Sequence, residues 1–185
     1  MILFLVFFLF VFVLPKLWLS NAMKKNDEEL VNMPFTAEEF GQIILEENNL
    51  SDVKIEETEQ VDHYDLHDKT VRVQQGRLAK KSLTSLTIIC HEIGHAIQHK
   101  EEYGPLVRRT SLVERTQWIS KFGGVILYSG LPLILATGSF GLIKVCLLLV
   151  LISVLLGVFI HLITLDVEID ASFNRAMPIL EEKIP

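Results

Sequence analysis

"HEIGHAIQH", residues 91–99, follows the largely apolar run Leu86–Cys90 and decides how the rest of the chain is read. As a helix it puts His91 and His95 one turn apart on one face. Two imidazoles at that spacing can close on a single Zn²⁺ at ~2.0–2.1 Å. Glu92 is rotated about 100° from His91, so it need not ligate and can instead reach a water on the metal. Zinc lowers the pKa of such a water toward ~7, and a carboxylate beside it can take the proton as the water attacks a carbonyl. That is the physical content of H-E-x-x-H. The alternative is a surface helix with solvated histidines. It fits poorly, because Leu86, Ile88 and Ile89 belong to a buried helix, where unpartnered histidines and a glutamate are costly. Gly94 costs ~1 kcal/mol against alanine inside a helix, so close packing beside the metal is expected there.

His99 continues the i, i+4 series, but on an unbroken helix it lies ~12 Å from His91 along the axis. Ligand nitrogens on one zinc sit only a few ångströms apart, so His99 reads as a structural residue and the third ligand must come from elsewhere. Glu168, in "VEIDAS", closes an otherwise apolar stretch, and a glutamate there is expensive unless it has a task. With His91 and His95 it makes a His₂Glu set with an open fourth position, the pattern of catalytic zinc.

The surrounding chain supplies the frame. Half of the 185 residues are hydrophobic, and they are concentrated at the ends. Ile2–Leu14 is unbroken apolar sequence, and Gly123–Leu165 carries no charged or histidine side chain apart from Lys144 and His161. The second stretch accommodates two membrane helices of ~20 residues each with a turn at Gly138–Gly141. An even number of crossings returns Glu168 to the membrane face that carries His91 and His95. The first stretch has the length of a signal h-region, and Ser20 and Ala22 offer a small-x-small pattern, but no Lys or Arg precedes it. An uncleaved anchor is the favoured reading, with Lys16 snorkelling and Trp18 among the headgroups. The domain plan is therefore an N-terminal anchor (1–19), a polar zinc-binding domain (20–121), a two-span hairpin (122–165) and a third-ligand segment (166–185).

Within the polar domain, "FTAEEFGQIILEENNL" reads as an amphipathic helix with a Thr36/Glu39 capping box and an end at Asn48-Asn49. "DVKIEE" alternates as a strand does, and "VDHYDLHDKTVRVQ" reads as two strands joined by a turn at Leu66–Lys69. The helix carrying HEIGHAIQH is expected to start near Ser82 or Ser85 and to stop at Gly104-Pro105. The fold class is thus an α+β membrane protein with a helix, a short antiparallel sheet and the HExxH helix, followed by the hairpin. The two cysteines, Cys90 and Cys146, read as buried thiols rather than a disulfide framework.

The net charge of −6 comes with no basic patch, which argues against nucleic acid as a partner. Lys16, Lys24, Lys25, Arg108, Arg109, Arg115, Lys121, Arg175 and Lys183 stand on the polar-domain side of the membrane segments, against Lys144 on the hairpin side. The positive-inside rule then places the polar domain in the cytoplasm.

"DHYD" (62–65), "HEIGHAIQH" and "LITLDVEIDAS" (162–172) together resemble the signature segments of the YugP-like neutral zinc metallopeptidases, a membrane-bound family. The helix and strand of "TAEEFGQIILEENNLSDVKIE" are similar to the family's opening elements, so the likeness covers nearly the whole chain. It implies a gluzincin-like arrangement: one zinc per chain, His91, His95 and Glu168 as ligands, and Glu92 as base. His63, Tyr64 and Asp65 are then candidates for the cleft wall. The implied substrate is a peptide or membrane protein, and the lipid bilayer is the other partner. Three departures stand out, one being that members tend to run on with more hydrophobic sequence past Pro185. Asp166 replaces a proline common in the family, and Ser172 stands four residues past the glutamate ligand, where gluzincins often carry an acid. A membrane scaffold or metal-sensing subunit with a non-catalytic zinc site is the rival function, since an HExxH glutamate shows capacity and not rate.

Overall fold

A computed structural model describes residues 10, 13–130, 132, 134, 136 and 138–184. Most of the expected N-terminal anchor lies outside the described residues, as do alternate positions from residue 131 to 137 in the first span of the expected hairpin. The chain divides into two compact units, Met1–Lys100 with Ala171–Pro185, and Glu101–Asp170.

The first unit is α+β. Helix α1 (Leu14–Lys25) has Pro15 in its first turn, where a missing N–H costs nothing. Helix α2 (Ala37–Glu47) begins on the expected capping box. Thr36 Oγ1 accepts from the Glu39 N–H at 3.2 Å, and the Glu39 carboxylate accepts from the Thr36 N–H at 2.8 Å. The helix ends at Asn48, and Asn49 takes a left-handed conformation (φ 53°). Phe40 and Ile44 on its inner face are fully buried, each contributing about 1.5–3 kcal/mol of transfer free energy. They join Val71, Val73, Leu86, Ile89 and Ile93 in one core.

Strands β1 (Lys54–Thr58), β2 (His63–Asp65) and β3 (Thr70–Gln74) form a three-stranded sheet in the order β1-β3-β2. The β2–β3 hairpin is antiparallel and turns where expected. The Asp65 carboxylate accepts the N–H groups of His67 at 2.9 Å and Asp68 at 3.2 Å, which closes the turn. The sheet as a whole is not antiparallel, however. β1 lies on the outer side of β3 and runs parallel to it. The connection from β1 to β2 crosses the end of β3 and is tied there: Asp62 Oδ1 accepts the Gln74 N–H at 2.7 Å, and the Gln75 N–H donates to the Thr58 carbonyl at 3.2 Å. With β2 already the hairpin partner of β3, β1 takes the remaining edge in the only direction that short crossing permits.

Helix α3 (Leu83–Lys100) carries HEIGHAIQH. Ser82 starts it, its Oγ accepting the Ser85 N–H at 3.2 Å. It ends at Lys100, before Gly104-Pro105, and Glu102 makes the turn with φ 52°. The Gly-Pro pair opens the next helix instead, with proline in its first turn. The unit is completed by Ala171–Ala176, part of a π-helical segment (Asp170–Ala176), and the short helix α6 (Met177–Lys183).

The second unit is helical. Helix α4 (Gly104–Val125) runs into one π-helical turn, Ile126–Gly130. Gly138 turns the chain with φ 68°, and the thirty-residue helix α5 (Phe140–Ile169) follows, so Gly141 falls inside a helix and not in the turn. α4 and α5 approach closely at Gly123, where a Cβ would run into the Ser153 side chain. Small residues at such contacts are the means by which helices pack without a hydrophobic driving force between them. Helical structure is unbroken from Phe140 to Lys183. This run contains a window of mean hydropathy 3.0, only 6% buried, and by length and composition it is long and apolar enough to cross a membrane.

Candidate functional site

The site is built on α3. Its inner face, Leu86, Ile89, Cys90 and Ile93, is fixed in the core, and this sets the rotation of the helix. His91 and His95 then fall together on the adjoining face, half-buried, with ring centroids 4.8 Å apart and the rings nearly perpendicular. Glu92 is buried, at 7% exposure.

Each histidine is held by its Nδ1. Ser172 Oγ stands 3.1 Å from His91 Nδ1, and Gln98 Oε1 stands 2.9 Å from His95 Nδ1. An amide oxygen can only accept, so His95 donates from Nδ1 and its Nε2 is the nitrogen turned away from Gln98. Neutral imidazoles oriented through the far nitrogen are what a metal requires of histidine ligands. Ser172 makes this contact through its hydroxyl, from the π-helical segment. Gln98 is fully buried and was not singled out by the sequence; its one signal was the i, i+3 spacing from His95.

Gly94 has the close approach expected of it. A Cβ there would lie 2.9 Å from the Ala171 carbonyl oxygen, so the π-helical segment rests directly on the α3 backbone beside His95. One turn further on, the Cys90 thiol donates to the Ala176 carbonyl at 3.4 Å. Burial pushes this thiol up to about 12, so Cys90 remains a protonated packing group. Cys90 and Cys146 are both buried and unbridged, as the sequence implies.

His99 ties α3 to the sheet. Its Nδ1 pairs with the Tyr64 hydroxyl at 2.9 Å, and burial, with Asp52 and Asp65 adding to it, raises the Tyr64 phenol to about 12. "DHYD" is thereby divided. Tyr64 braces α3, His63 bonds the Val61 carbonyl at 2.8 Å, Asp65 closes the turn, and Asp62 alone of the four reaches the cleft.

That cleft is a cavity of about 740 Å³ within the first unit. His91 and Glu92 line it from α3, Ser172 from the π-helical segment, and Asp62 from the strand crossover. The rest of its wall is mostly apolar and comes from α1, the start of α3 and α6. α1 is tied to α3 at the Asp27 carboxylate, which takes Lys80 at 2.5 Å and Ser82 Oγ at 2.9 Å; the Thr84 hydroxyl adds a bond to the Met23 carbonyl at 2.7 Å. Glu168 lies on α5 in the second unit, two residues before the π-helical segment begins.

A family model described as "Putative neutral zinc metallopeptidase" matches residues 1–184. The chain belongs to that family. It is also 31% identical over 171 residues to "Putative membrane protease YugP" of Bacillus subtilis (strain 168), a match covering 89% of this chain and 72% of the relative. No solved structure matches.

Proposed function

We propose that the chain is an integral membrane zinc endopeptidase with its site at the cytoplasmic surface. The observation that carries this reading is that His91 and Glu92 line one open cavity while both histidines of the motif are held through Nδ1. Family membership points the same way, and so does the apolar run beginning at Phe140.

The donor set suits zinc: two imidazoles one helical turn apart, each oriented by a hydrogen bond at its Nδ1. Glu168 is the proposed third ligand. It precedes Ser172 by four residues, so helical spacing gives it the face that Ser172 presents to His91. Two protein elements would then hold one zinc per chain, and the fourth position would be open to water and substrate.

When bound, zinc would acidify the attacking water and polarise the scissile carbonyl. The protein's own groups do the rest. Glu92 takes the proton of the water as it attacks and passes it to the leaving nitrogen. Its low exposure keeps that proton from exchanging with bulk solvent. Ser172 and Gln98 keep the imidazoles aligned throughout. A peptide carbonyl reaches Glu92 through the cavity, and an extended substrate can add to an edge of the small sheet.

Hydrolysis of a mixed peptide substrate by purified protein, lost on chelation and restored by zinc, tests the reading. Turnover unaffected by chelation would exclude it. Sidedness rests on the excess of Lys and Arg on the polar-domain side. A reporter fused after Pro185 is expected to read cytoplasmic, and an external reading would reverse the orientation.

A further inference from the structure

We infer that the cavity beside Glu92 is a specificity pocket that receives a bulky, uncharged apolar side chain from the residue next to the scissile bond. The inference rests on the peptidase reading above and adds the substrate class to it. The cavity's 740 Å³ is far more than a water or a metal needs, and exceeds any one side chain, leaving room for adjoining backbone. Its lining is chemically lopsided. Leu19 and Met23 from α1, Ile88 from α3, and Phe173, Met177 and Leu180 from the C-terminal segment give an apolar wall. The acids that line it are Glu92 and Asp62, the latter paired with Arg77 at 3.7 Å, and no Lys or Arg is among the lining residues.

An acidic side chain entering this space would lose its hydration against a largely apolar wall and lie beside the carboxylates of Asp62 and Glu92. A Leu, Met or Phe side chain would lose apolar surface to water at no such cost. Phe173 and Met177 keep 60% and 45% of their surface exposed, although other apolar side chains of the same unit are fully buried. Large apolar groups left open beside a candidate catalytic carboxylate are what a side-chain pocket presents to a ligand. Proximity to Glu92 assigns the pocket to the residue adjoining the cleaved bond.

The test uses the full-length, zinc-loaded protein and a set of peptides that differ only in one residue flanking a single cleavable bond. Two readouts are taken, the rate of cleavage and the affinity of the fluorescently labelled peptides by anisotropy. Leu, Met or Phe is expected to exceed Asp or Glu by about 10-fold or more in both, the scale on which apolar pockets discriminate. Met177→Lys, at a half-exposed position that should tolerate it, is expected to bind zinc normally and to move the preference toward Asp and Glu. Leu19→Lys makes the same test from α1 if the first variant does not fold. Peptides that bind with the expected preference, reversed by the lysine, but are not cut would uphold the pocket and refute the peptidase reading. Equal binding of apolar and acidic peptides, or a preference that neither lysine changes, would overturn the pocket whether or not cleavage occurs.

Discussion

The Ser172 hydroxyl stands 3.1 Å from Nδ1 of His91, joining the π-helical segment to the HExxH helix. This bond fixes the ring plane of one proposed ligand from a part of the chain 81 residues away. Ser172→Ala should therefore lower zinc affinity, by up to about 10–100-fold if the contact behaves as such partners do elsewhere. Competition with a chromophoric chelator measures it. An unchanged zinc affinity would show that the hydroxyl does not orient the ring.

Gly94→Ala sets two effects against each other. Alanine is favoured over glycine inside a helix by ~1 kcal/mol. The new Cβ would meet the Ala171 carbonyl oxygen at 2.9 Å, and a backbone oxygen cannot rotate away as a side-chain end can. The contact is expected to win, so the variant should melt below the parent and bind zinc more weakly. A raised Tm would mean that the segment gives way at little cost.

The junction of α1 and α3 should respond to acid. The hydrogen bond from Lys80, aided by Ser82, holds the Asp27 carboxyl below its ordinary value. A carboxylate lowered in the folded state contributes stability above its unfolded pKa and loses it as pH falls through the folded value. The Tm difference between parent and Asp27→Asn should be present at about pH 6 and close below about pH 4. A difference independent of pH would remove the carboxylate charge from the explanation.

Glu168→Ala should lower the zinc content of purified protein while α3 stays folded. Metal analysis after dialysis against a weak chelator is the measurement. Full occupancy with unchanged affinity would take Glu168 out of the ligand set.

Much of this was legible because it is local. The Thr36/Glu39 capping box, the Asp65 turn and the one-turn histidine spacing each lie within a few consecutive residues, where side-chain chemistry and helical or strand period suffice. Gly94 was legible as an anomaly, a helical glycine in need of a neighbour, although the neighbour was not. What escaped depends on distant partners. β1 pairs parallel with β3 because of where a crossover is tied, which alternation within β1 cannot reveal. The π-helical turns change helical period over only a few residues, too few to leave a pattern in hydrophobicity. Gln98 looks like a solvent-facing residue until the burial of α3 is known. The cavity wall draws on α1, α3 and α6, so its apolar character appears only once they are assembled.

The central claim is that Glu92 moves the proton in peptide hydrolysis. Glu92→Gln keeps the side chain's size, alters no proposed ligand and removes the base. Cleavage of one peptide by parent and variant, each with its zinc content measured, tests this most directly. The variant should hold zinc as the parent does and lose about 10²–10⁴-fold in rate. A variant that retains zinc and cleaves as fast as the parent would contradict the account.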